Sequence, residues 1–219
     1  MELFVFLLIL LSGISLIVFG LLNYASINNG EYQNEKFSFL NQFPYELTSN
    51  DTSKYQLLVK LLAAIFGGSF AVFGIYQFIG LNMYCAKIVN DYVLGVIYIL
   101  IGVSIFLEFV WTLKDYKKHI ITSASMFALT IGLCFYLGYF VIVDPRLTFH
   151  SSLIYICFGL GLILLVTLIV LPFKKWMYLE KKEEDGSISY QRKKVAILPF
   201  TEWMFILINI ILCLIISIY

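Results

Sequence analysis

Apolar residues run in six long blocks, at about 3–23, 57–81, 92–113, 120–143, 151–172 and 201–219, and polar residues gather between them. A helix needs about 20 apolar residues to cross the hydrocarbon core of a bilayer. In lipid, every backbone N–H and C=O must be paired within its own segment, so blocks of this length predict helices. The expected architecture is therefore all-α: a polytopic transmembrane helical bundle of six spans forming a single membrane domain over residues 1–219. The first block opens Met1-Glu2 with no basic residues ahead of it, which argues for a permanent helix over a cleaved signal segment.

The polar stretches set the expected orientation. With six spans, the connections at 24–56, 114–119 and 173–200 share one side. They hold twelve of the fifteen basic residues, and Lys60 follows just inside the second block, leaving only Lys87 and Arg146 on the other side. Basic residues concentrate on the cytoplasmic side of short loops, so these three connections are expected inside and both termini outside. Asn50-Asp51-Thr52 has the form of a glycosylation site on the side this orientation makes cytoplasmic; the charge asymmetry outweighs a three-residue pattern. Connection 24–56 carries Phe37, Phe39, Leu40, Phe43 and Tyr45, too apolar for a free linker, and is expected to lie across the helix ends. In 173–200, Asp185-Gly186 signals a turn, with flanking arms that suit either strands or an amphipathic helix.

Composition agrees with burial in lipid. The chain is 61% hydrophobic and 13% charged, about half the charge of a soluble domain, which carries roughly 25%. A net charge of +1 gives no basis for binding nucleic acid. Thirteen lysines against two arginines, with abundant Ile, Phe, Tyr and Asn, indicate an A+T-rich coding genome. The expected location is thus a prokaryotic plasma membrane or an organellar inner membrane. Cys85, Cys134, Cys157 and Cys213 form no Cys-x-x-Cys pair and share no zinc-ligand spacing with histidine, so they are read as small apolar residues.

Glycines recur seven residues apart in three successive blocks: Gly13/Gly20, Gly67/Gly74 and Gly95/Gly102. Seven residues is nearly two helical turns, so each pair marks one face along which a neighbouring helix approaches closely. "GISLIVFG" at 13–20 and "GGSFAVFG" at 67–74 share five of eight positions. Shared packing grammar explains this more economically than duplication.

Polar residues inside spans are costly and are the natural candidates for function. They are Glu108, Asn209 and Gln77, joined near the basic end by Lys60 and Glu202. Glu108 falls about five residues from the end of its block, roughly 7 Å at 1.5 Å per residue, within reach of Lys60 or the lysines at 114–118. Glu202 opens the last block, where a helix dipole favours an acid. His119 and His150 fall in short connections on opposite sides, which excludes paired haem ligation inside the bundle. No nucleophile elbow, nucleotide loop or zinc-protease motif is present. No catalytic, cofactor or metal-ligating set is assigned. The first expectation is a non-catalytic subunit or accessory component of a larger membrane complex, with the bilayer and other membrane subunits as partners. Its rival is a small-solute or ion transporter with Glu108, Asn209 and Gln77 on the pathway, and a lipid-modifying membrane enzyme ranks third.

Overall fold

A computed structural model describes residues 2–26, 37–49, 53–80, 89–111, 116–143, 151–170, 178–182, 188–192 and 196–218. Six helices carry the fold: α1 (Glu2–Ala25), α2 (Gln56–Gly80), α3 (Val89–Val110), α4 (Tyr116–Val143), α5 (Ser151–Val170) and α6 (Ile197–Ile218). Five are long and apolar enough to cross a membrane, and the shorter α5 is apolar over 152–168. The chain is an all-α helical bundle and a multi-pass integral membrane protein.

Helix packing closes a ring. The α2–α3 contact is the most extensive, followed by α1 on α2 and α3 on α4; α6 then touches both α4 and α1, and α5 lies outside, chiefly on α4. The ring interior is filled by aromatics and branched aliphatics, among them Phe70, Phe73, Tyr98, Phe109, Phe127 and Phe205, all essentially inaccessible. The outward faces carry the opposite distribution: Phe4, Leu57, Ile121, Tyr155 and Ile163 are among the most exposed residues. Large apolar side chains pointing outward on every helix are what a lipid solvent requires and water would penalise.

The glycines set the closest approaches. A Cβ on Gly67 would stand 2.7 Å from both the Gly102 carbonyl oxygen and Phe106 Cβ, and one on Gly74 would overlap the Gly95 carbonyl oxygen. Antiparallel α2 and α3 thus meet backbone to backbone at two crossings, 67 against 102 and 74 against 95. Gly13 and Gly20 do something different. They make room for side chains, the Phe66 ring and Leu47, at 2.9 Å from where their own Cβ would be.

Helix starts differ from the edges of the apolar blocks. α4 begins at Tyr116 and α6 at Ile197, each four residues before its block. A first helical turn needs no apolar residues, because its N–H groups have no partner inside the helix and suit a polar setting. Pro199 sits third in α6, where its missing N–H is no loss. Between α1 and α2 the chain makes a 3₁₀ turn, Pro44–Leu47, packed against α1, α3 and α6. Before α6, β1 (Tyr178–Lys182) and β2 (Ile188–Arg192) pair antiparallel with Tyr178 opposite Arg192 and Lys182 opposite Ile188. The arms around Asp185-Gly186 are therefore strands; the turn itself and the Asn50 site lie outside the described residues.

Candidate functional site

Glu108, His119 and Glu202 meet at the end of the bundle where α3 finishes and α4 and α6 begin. All three side chains have zero exposure. His119 is a fourth-residue position in α4 and not part of a connection, because the helix starts at Tyr116. Glu202 is the sixth residue of α6, one turn beyond the reach of a helix-dipole explanation. Both expectations, a loop histidine and a terminal acid, are corrected by the earlier starts of these helices.

The geometry is specific. His119 Nε2 lies 3.1 Å from Glu202 Oε1, and Nδ1 lies 3.0 Å from the Trp111 carbonyl oxygen. Nδ1 is also 3.8 Å from Glu108 Oε2. Ser123, one turn along α4, holds its hydroxyl 2.9 Å from Glu202 Oε1 and 3.0 Å from the His119 carbonyl. Three carboxylate oxygens, both of Glu108 and Oε2 of Glu202, have no hydrogen-bond partner among the described residues.

Counting protons shows the tension in this centre. Both imidazole nitrogens face acceptors, so two N–H donors, an imidazolium, would satisfy them. That leaves two carboxylates against one positive charge in a dry interior, where an uncompensated charge costs several kcal/mol. A neutral imidazole donating Nδ1–H to Trp111 instead turns its Nε2 lone pair toward Glu202. The pair then needs a proton or another cation between them. The centre is thus one positive charge short with an imidazolium and two short with a neutral imidazole, and that deficit is its chemistry.

Residues 37–49 cover it. Phe43 and Tyr45 set their rings edge-on to the His119 ring at 5.3 and 5.4 Å between centroids. The cover is pinned at several points. Thr48 Oγ1 donates to the Phe109 carbonyl, Trp203 Nε1 donates to the Gln42 carbonyl at 2.8 Å, and Asn23 Nδ2 donates to the Leu47 carbonyl at 2.8 Å. Glu46, buried as well, accepts the Phe43 N–H at 3.0 Å.

The remaining polar candidates lie elsewhere along the bundle. Asn209, two turns beyond Glu202, donates from Nδ2 to Thr130 Oγ1 and to the Phe205 carbonyl, each at 2.8 Å, while its Oδ1 has no partner among the described residues. One turn further along α6, Cys213 lies near the buried Tyr98 of α3, whose hydroxyl has no hydrogen-bond partner among the described residues. Gln77 is buried at the far end of α2, with its Nε2 unpartnered among the described residues. Lys60 lies on the exposed face of α2. The basic group that meets Glu108 and Glu202 is His119, which sequence reasoning passed over. The available signal was Lys117-Lys118-His119 directly abutting an apolar block, as a polar first turn of that helix.

A cleft of about 400 Å³ opens between α1 and α6, lined by Leu10, Ile14, Phe66, Phe109, Trp203 and Leu207 among others, all apolar or glycine. It has no polar group to orient a ligand. Its wall does share Phe109 and Trp203, the neighbours in sequence of Glu108 and Glu202. Comparison with protein-family models, characterised proteins and solved structures finds no match for the chain.

Proposed function

We propose that this protein moves or exchanges a small cation within the membrane, a transporter-class role centred on Glu108, His119 and Glu202. One observation carries the reading: three ionisable side chains from three helices converge without solvent exposure, leaving three carboxylate oxygens unpartnered among the described residues. A centre made only to tie helices together would use its hydrogen-bonding capacity, since buried polar groups are otherwise a net cost. Ser123, Thr130 with Asn209, and Tyr98 with Cys213 extend polar groups from the centre along the inner faces of α3, α4 and α6. From Glu202 to Cys213 this spans eleven residues of α6, about 16 Å at 1.5 Å per residue.

The test is flux in liposomes containing the purified protein, followed with an internal pH dye and with tracer cations. Glu108→Gln keeps the shape of the side chain and removes its charge. Flux that falls at least tenfold in this variant, with the protein still monodisperse, supports the reading. Flux no greater than in protein-free vesicles sinks it.

A second reading, a non-catalytic subunit of a larger membrane complex, draws on α5. This helix packs chiefly on α4 and turns Tyr155, 78% exposed, with Ile156, Ile163 and Val166 away from the bundle. Such a face suits a neighbouring helix as well as lipid. Partners that stay bound through native purification, identified by mass spectrometry and released by polar substitutions at Tyr155 and Ile163, would favour it.

A further inference from the structure

We infer that Glu108, His119 and Glu202 form a binding site for one divalent first-row transition-metal ion of the zinc or manganese kind; this rests on the proposed function by naming the cation. One ligand atom from each residue lies within 4.8 Å of the other two, and all three residues are buried. Around an ion with bonds of about 2.0–2.2 Å, tetrahedral ligand atoms stand roughly 3.3–3.6 Å apart. The 4.8 Å limit shortens by about an ångström when an ion binds, and Glu108, whose Oε2 now lies 3.8 Å from Nδ1, turns toward the Nε2 edge that faces Glu202.

Charge selects a divalent ion. Two carboxylates and a neutral imidazole sum to minus two, so an M²⁺ ion leaves the dry centre neutral, whereas a monovalent ion or single proton does not. Ligand type selects within that class. Carboxylates with an imidazole suit zinc, manganese and iron, while the hard all-oxygen sets that calcium and magnesium prefer contain no nitrogen. The Glu108 oxygens are a second and independent mark, because they are fully buried ligand atoms that meet no hydrogen-bond donor among the described residues.

The outer contacts are those a metal-bound histidine needs. Nδ1 faces the Trp111 carbonyl at 3.0 Å, which holds the proton on that nitrogen and frees the Nε2 lone pair on the Glu202 side. Ser123 at 2.9 Å steadies Glu202 in the same way. Three protein ligands leave a fourth position open, the arrangement of a site that exchanges its ion or activates a ligand rather than one that is closed and structural.

The experiment uses the full chain, purified without a polyhistidine tag, stripped with chelator and equilibrated in detergent with Co²⁺ or Zn²⁺. Elemental analysis after gel filtration should give one ion per chain, and the Co²⁺ form should show visible d–d bands of a low-coordinate site. Glu108→Gln and His119→Gln should each weaken binding at least tenfold and remove those bands. Because Ser123 and His119 keep Glu202 as a partner when Glu108 is changed, its variant is the one expected to stay folded, as judged by helicity and monodispersity. Folded Glu108→Gln protein that binds the ion as tightly as the parent overturns the inference, as does parent protein that retains well below one ion per chain. Failures of the two readings are separable. Proton flux without stoichiometric metal removes the metal and keeps transport; stoichiometric metal lost in Glu108→Gln, with no flux of any cation, removes transport and keeps the site.

Discussion

Two buried glutamates a few ångströms apart have unequal surroundings, and their difference is measurable. Glu202 Oε1 is met by both Ser123 and His119 at hydrogen-bond distance, while Glu108 has the 3.8 Å approach of His119 Nδ1 and the neighbouring Ser123 and Glu202 side chains. Removing Glu202 strands a histidine and a hydroxyl. Breaking a buried, hydrogen-bonded pair in this way costs about 3–5 kcal/mol. Removing Glu108 strands nothing and takes away a like charge. In chelator-treated protein, Glu202→Leu should thus lower the thermal midpoint in detergent sharply, whereas Glu108→Leu should stay within about 1 kcal/mol of the parent or gain stability, as replacing buried charge by apolar groups often does. Equal losses for the two variants would mean that Glu108 is a structural partner, contrary to the asymmetry in its contacts. A residue kept at a cost to stability is one whose value lies in function. Glu108 was visible in the sequence as an acid inside an apolar block, and Glu202 and Asn209 were visible for similar reasons. Their convergence was not, because no pattern along the chain states which faces of α3, α4 and α6 turn toward one another.

The α2–α3 pair is where spacing along the chain translated most directly into packing, since its glycines two turns apart on one face admit the neighbouring backbone. Gly67 and Gly102 meet backbone against backbone, so a single methyl at either must push two helices apart. Overpacking of this kind costs about 1–3 kcal/mol. Gly67→Ala and Gly102→Ala should each destabilise by that amount in a detergent melt, and Gly132→Ala, with nothing within 4 Å of its Cβ position, should not. A costly Gly132→Ala would show that the loss comes from the helix itself and not from the crossing. The similarity of 13–20 to 67–74 fits this picture of shared grammar, because the first pair of glycines admits side chains and the second admits a backbone. Two starting points were less legible. Lys117-Lys118-His119 looked like connection because a polar first turn carries no apolar signature, and residues 197–200 looked like part of the connection although α6 starts at Ile197. The cover over the cluster makes its own prediction. The Glu46 and Thr48 amides donate to the Phe43 and Tyr45 carbonyls at 3.1 and 2.9 Å, and Ala196 N–H donates to the Leu40 carbonyl at 2.8 Å. Amides over 43–48 should accordingly exchange at least about 100-fold slower than in an open chain, an opening cost of roughly 3 kcal/mol. Exchange at open-chain rates, read by mass spectrometry, would remove the cover from the site.

Across the bundle, charge and site lie at the same end. The helix ends that build the Glu108–His119–Glu202 centre also bound connections that hold twelve of the fifteen basic residues. Six helices place the ends of α1, α3 and α5 and the starts of α2, α4 and α6 on one side, so the even count and the basic asymmetry support each other. The lysine-rich side attracts anions and raises the cost of a cation approaching the centre through water. On the transport reading proposed above, a cation would reach Glu108 along the inner faces of α3, α4 and α6, past Asn209 and Tyr98, and not through the basic connections. This makes orientation a functional quantity. If basic connections lie in the cytoplasm, a reporter inserted in the β1–β2 turn at 183–187 should read as inside, and one inserted at 144–150, between α4 and α5, as outside. Cysteine labelling at the same two positions, in a background without Cys85, Cys134, Cys157 and Cys213, should give the same answer from intact cells. The centre would then sit near the cytoplasmic face with its polar column leading outward, and Asn209→Leu should slow uptake from the outside more than it weakens binding at the centre. Reporters on the same side would remove one span from the count. Reporters on opposite sides but inverted would reverse the direction of the path and leave the centre unchanged.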